Sequence, residues 1–95
     1  MLFEKIKELR ENAGYSQAQL AKKLDVTRSS VNAWEMGLSM PTTQYVVALA
    51  KLFRVSTDYL LGIEKQKTLV LDGYSETEIE LIFSLIKYID STKKK

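Results

Sequence analysis

The sequence predicts an all-α fold: a compact bundle of five short helices over residues 1–62, then an extension with a short strand and a last helix. Three observations predict it. Apolar residues recur at three- and four-residue spacing through successive stretches of the chain. A serine or threonine precedes most of these stretches, where a side-chain oxygen is needed to cap the first turn. Gly14, Gly37, Gly62 and Gly73 fall where the periodic pattern stops, as helix ends and turns require.

In the first helix, residues 2–13, Leu2, Ile6, Leu9 and Ala13 lie on one stripe. Ser16 caps the second, where Leu20, Ala21 and Leu24 form the inner face. A break at Asp25-Val26 follows, and Thr27 caps a third helix from Arg28 to Met36 that turns Val31 and Trp34 inward. Gly37 ends it in a left-handed conformation. After Pro41, Thr42 or Thr43 caps a fourth helix to about Phe53, with Val46, Leu49, Ala50 and Phe53 apolar. Ser56 caps a short fifth helix; Asp58 in its first turn suits the helix dipole, Tyr59 and Leu60 face inward, and Gly62 stops it.

From residue 63 the pattern changes. Lys67-Thr68-Leu69-Val70-Leu71 before Asp72-Gly73 reads as a short strand and turn. Ser75 with Glu78 three residues later forms a capping-box start, and a final helix runs to about Ser91. Thr92 to Lys95 reads as a frayed basic tail, to which no role is assigned.

Composition narrows the chemistry. The 95 residues include no cysteine and no histidine, so thiolate metal sites, disulfides and histidine general-base catalysis are ruled out. The carboxylates show no pocket-like clustering, and no cofactor is implied, so an enzyme is not expected. No apolar run reaches the roughly 18 residues needed to span a membrane. The N-terminus lacks a signal-peptide pattern, and cytoplasm is the expected compartment. Net charge is +2; residues 1–62 carry eight Lys/Arg against six Asp/Glu, while residues 63–95 carry six of each.

Residues 16–37 carry the most information. A capped helix, a tight turn and a second capped helix with Val31 and Trp34 inward are what a helix-turn-helix needs. The outer face of its second helix would then be free to enter a major groove. The elements Ile6-x-x-Leu9-Arg10, Ser16-Gln17-x-x-Leu20-Ala21 and Val26-x-x-x-x-Val31-x-x-Trp34-Glu35-x-Gly37 resemble the Cro and phage-repressor type, the XRE family. Pro41, Leu49-Ala50 and Tyr59-Leu60-Leu61-Gly62 extend the resemblance over about two thirds of the chain.

The resemblance implies a role for each matching position. Arg28, Ser29 and Ala33 occupy exposed recognition positions, with Asn32 beside them facing a base or only a phosphate. Arg28 suits guanine O6 and N7, and Ala33 a thymine methyl. Gln17 would hydrogen-bond a phosphate, Thr27 would cap its helix near the backbone, and Thr43 would head another helix towards it. Arg10 and Glu35 resemble a structural pair tying the first helix to the third, while the inward stripe makes Trp34 a core residue and not a base-stacking one.

Two departures stand out. Asp25 occupies a turn position that is often glycine, which aspartate tolerates at some cost. Gly37-Leu38-Ser39-Met40-Pro41 lacks the basic residues relatives often carry there, so phosphate contacts are lost and Leu38 and Met40 become candidates for a protein contact.

In the last helix Ile79, Ile82, Phe83, Ile86 and Ile89 form an apolar stripe that Leu81, Leu85 and Tyr88 widen. It covers more than one face, so a twofold helix-to-helix interface is expected, with Leu69 to Leu71 a further pairing segment; completing the chain's own core is the alternative. The domain expectation is a DNA-binding unit over 1–62 and a linker, strand and dimerising helix over 63–95. The leading functional expectation is a homodimeric repressor of a palindromic operator on double-stranded DNA. The runner-up is an antitoxin or anti-regulator that binds a partner protein, of unassigned identity, and autoregulates.

Overall fold

The computed structural model describes residues 1–93 and is all-helical over them. The helices are α1 (Leu2–Asn12), α2 (Gln17–Leu24), α3 (Arg28–Glu35), α4 (Thr43–Phe53), α5 (Thr57–Leu60) and α6 (Glu76–Thr92). Local chemistry accounts for most of their ends. The hydroxyls of Ser16, Thr27, Ser56 and Ser75 accept from the backbone N–H groups of Gln19, Ser30, Tyr59 and Glu78, which would otherwise lack partners. Gln19 and Glu78 return the bond to the cap's own N–H at 2.8 Å, completing capping boxes at α2 and α6. Thr42 is the N-cap position of α4, without a side-chain bond.

Two helices end on non-glycine residues in the left-handed region. Asp25 (φ 59°) closes α2, and Arg54 (φ 57°) closes α4. In both, the next N–H reaches back to the final turn: Val26 to Ala21 O at 2.9 Å, Val55 to Ala50 O at 3.0 Å. Gly37 (φ 73°) does this after α3, where Leu38 N–H reaches Ala33 O at 2.9 Å.

The core lies within residues 1–62. Ile6, Leu9, Leu20, Ala21, Val31, Trp34, Val46, Leu49, Ala50, Val55, Tyr59 and Leu60 form one buried cluster. Ile6, Leu20, Val31, Leu49 and Leu60 have lost essentially all solvent contact, each worth about 1.5–3 kcal/mol of burial. Trp34 is core, its ring centroid 5.7 Å from that of Tyr45. α2 and α3 pack closely on each other, and α1 runs against α3, α4 and α5.

Four sequence expectations need correction. The strand over 67–71 does not form, because Arg54 engages both backbone groups of Val70. Val70 N–H donates to Arg54 O at 3.1 Å, and Arg54 Nη1 donates to Val70 O at 3.0 Å and Asp72 O at 2.8 Å. The guanidinium also lies 3.8 Å from the centroid of the Tyr74 ring. Ala13 is exposed and sits past the end of α1, because the chain turns at Gly14. α3 stops one residue early, at Glu35, with Met36 as its C-cap. Thr92 closes α6 with its hydroxyl on Ile89 O, so the basic tail begins at Lys93; Lys94 and Lys95 lie outside the described residues.

α6 starts and ends where its caps dictate, yet none of its residues is buried. Ile79 and Ile82 are half-buried, whereas Phe83, Ile86 and Ile89 are exposed, as are Leu81, Leu85 and Tyr88. The helix stands off from the bundle and does not complete its core.

Candidate nucleic-acid interface

α3 has an inner and an outer face, because residues three and four apart share a side of a helix. Val31, Trp34 and Glu35 face inward and are buried. Arg28, Ser29 and Asn32 are exposed, with Ala33 half-buried at the edge of that outer face. Arg28 makes no hydrogen bond or ion pair among the described residues, so its five N–H donors are available. Thr27 Oγ1 caps α3 through Ser30 N–H at 3.1 Å and lies 3.0 Å from Ser30 Oγ. Thr43 is exposed at the first position of α4, with nothing linking it to α3.

The outer face is held from behind by a buried ion pair. Arg10 and Glu35 are each only 8% exposed. Arg10 Nε donates to Glu35 Oε2 at 2.6 Å and Nη2 to Oε1 at 3.1 Å, a two-pronged contact suited to both groups. Nη1 donates to Tyr15 O at 2.8 Å, so one arginine joins α1, the α1–α2 turn and α3. The Glu35 hydrogen bond raises the Arg10 pKa above its ordinary value, against an opposing cost of desolvation; the charges of Glu35 and then Glu11 add to the rise. A raised arginine contributes its stability below its unfolded pKa and loses it only as pH rises through the folded one, so neutral and mildly alkaline solutions leave that contribution intact.

Gln17, expected to meet a phosphate, is half-buried and hydrogen-bonded within the protein. Its side-chain Nε2 donates to Asn32 Oδ1 at 3.2 Å and to Glu35 Oε1 at 3.0 Å, which occupies both amide hydrogens. The structure thus brings Gln17, Asn32, Glu35 and Arg10 into one hydrogen-bonded chain. Asn32 and Glu35 sit three apart on α3 and share a side, which is the one clue to that chain in the sequence. The α6 stripe forms a separate surface. Among the described residues no helix is long and apolar enough to cross a membrane.

A bundle of this kind, with an exposed outer face on the second helix of a capped pair, is a helix-turn-helix domain. The helix-turn-helix family model matches residues 6–60, and the chain belongs to that family, as an XRE-type member. It is 39% identical to the HTH-type transcriptional regulator ImmR of Bacillus subtilis (strain 168) over 64% of the chain and 48% of ImmR. It is 30% identical to AnsR of the same organism, an HTH-type transcriptional regulator, over 99% of the chain and 95% of AnsR. Among solved structures, the P22 c2 repressor in complex with a synthetic operator matches with a TM-score of 0.63 and 30% identity, over 67% of this chain and 97% of that one. These proteins are regulators and not enzymes. The chain spans about half the length or less of the curated relatives ImmR and BcrR that it matches.

Proposed function

We propose that this chain is a homodimeric transcriptional repressor that reads a palindromic operator on double-stranded DNA through the major groove, acting in the cytoplasm. One observation carries the reading: Arg28, Ser29 and Asn32 stand exposed on one side of a helix locked from behind by Val31, Trp34 and the Arg10–Glu35 pair. A side chain can report on a base only if its backbone is fixed, and here it is. The unengaged Arg28 fork matches guanine O6 and N7, Ser29 and Asn32 read neighbouring edges, and Ala33 meets a thymine methyl. Thr27, Thr43 and the backbone N–H of Gln17 take the phosphates. The likeness to a repressor solved on its operator supports the same assignment.

Residues 1–62 are the reading unit on this proposal, and residues 63–95 join two copies. A net charge of +2 gives little sequence-independent attraction, so specificity must come from base contacts made twice. Ile79, Ile82, Phe83, Ile86 and Ile89 supply the twofold contact, since a stripe this open is otherwise unfavourable in water.

Selection of bound duplexes from a random pool at moderate salt tests the proposal. The expected result is an inverted repeat with half-sites about one helical turn apart. Arg28→Ala then relaxes one position in each half-site, by about 1–3 kcal/mol of discrimination. A pool that returns no enriched sequence overturns it and redirects attention to a partner protein.

A further inference from the structure

We infer that Gln17 is a positioning residue for base reading: it fixes which way Asn32 presents its amide, and its side chain does not anchor a phosphate. The inference rests on the proposal that the outer face of α3 meets DNA.

Three observations carry it. First, the Gln17 amide has two hydrogens and both are engaged, one by Asn32 Oδ1 and one by Glu35 Oε1. No side-chain donor is left for a phosphate oxygen, and its carbonyl would be repelled by one. Second, Glu35 cannot turn away to release Gln17. It is 8% exposed and held by two bonds from Arg10, which is itself fixed to Tyr15 O. The rigidity of that pair therefore passes through Gln17 to a side chain on the surface. Third, Asn32 is exposed and its oxygen, not its nitrogen, faces Gln17.

An unrestrained asparagine presents its amide in either of two orientations, and only one matches a given base edge. With Oδ1 turned towards Gln17, the Nδ2 group has no partner among the described residues and points away as a donor. The second lone pair of Oδ1 remains open. A donor beside an acceptor on one planar group is the complement of adenine N7 and N6. Flipping the amide would put its N–H₂ against the donor group of Gln17, so the flipped form is excluded while Gln17 is in place. Gln17 thereby sets the preference at the base pair Asn32 faces, without touching the DNA with its side chain.

The test compares sequence preference for the wild-type chain, Gln17→Met and Asn32→Ala. The expected result is that both variants lose discrimination at the same base pair, by between about fivefold and about 150-fold. A phosphate anchor gives the opposite pattern: Gln17→Met weakens binding to all sequences alike and leaves discrimination at that base pair unchanged. That result, or relaxation at different base pairs in the two variants, overturns the inference. If the wild-type chain itself enriches no sequence, the DNA-reading proposal has failed and the inference fails with it. One measurement needs no variant. Relaxation of the Gln17 side-chain amide in the free wild-type protein should show an ordered group, and an order parameter below about 0.6 overturns the inference whatever the variants do.

Discussion

Residues 1–62 and helix α6 are built from the same local signals but held by opposite means. α2 and α3 are eight residues each and α5 is four, far below the length at which a helix persists alone in water. They exist because twelve apolar side chains share one core and because Arg10 and Glu35 tie α1 to α3. α6 is 17 residues long, carries a complete capping box, and has no fully buried residue, only Ile79 and Ile82 half-buried. Caps and periodicity decide where a helix starts and stops; they do not decide what it packs against. On the proposed reading, the open stripe of α6 is the face that a second copy covers.

The contrast can be broken at several points. The largest effect is expected within residues 1–62. Arg10→Met strands Glu35 as a buried, uncompensated carboxylate and should lower unfolding free energy by about 3–5 kcal/mol. A urea midpoint equal to the wild-type value would show that the pair is not what holds α1 to α3. The double substitution Phe83→Glu and Ile86→Glu should instead turn a sedimenting dimer into a monomer. Unfolding free energy of the monomeric bundle should change by less than about 0.5 kcal/mol. Should the variant still sediment as the wild type does, the α6 stripe is not the twofold contact.

Smaller effects sharpen the boundary between the two regions. Arg54→Ala removes two hydrogen bonds and the Tyr74 stack that hold residues 70–74 to the end of α4. Amide exchange at Val70 should speed by roughly tenfold, with core amides such as Leu49 unaffected. Uniform acceleration at both sites would mean that the segment and the core open together. The smallest effect is expected at Asp25, which holds a left-handed conformation and places a negative charge at the C-terminus of α2. Asp25→Gly relieves both and should raise stability by about 0.5–1 kcal/mol. A fall in thermal midpoint would indicate that the aspartate side chain contributes something the backbone geometry does not show.

How much of this was legible depended on the range of the interaction. Ser16, Thr27, Ser56 and Ser75 announce themselves as caps because their partners lie three residues on. Most of the core was equally readable from helical spacing, although Val55 was missed because it lies in the turn between α4 and α5, outside any periodic stretch. The strand expectation failed because an apolar run at 69–71 says nothing about what its backbone will bond. Arg54, sixteen and eighteen residues away, supplies those bonds, and no local pattern marks it. The outer positions of α3 followed from the helix-turn-helix pattern. The engagement of Gln17 depends on how α2 crosses α3, a long-range fact that residue spacing alone does not contain.

The Arg54 clasp also bears on leverage. A 17-residue helix is about 25 Å long, so an angular error of 10° at its base displaces its tip by roughly 4 Å. That exceeds the reach of a hydrogen bond. On the proposed reading, two copies joined along such levers would hold their α3 helices at a fixed separation only if each lever is stiff at its root. The guanidinium bonded to the carbonyls of Val70 and Asp72, and stacked on Tyr74, meets α6 at that root, immediately before its Ser75 cap.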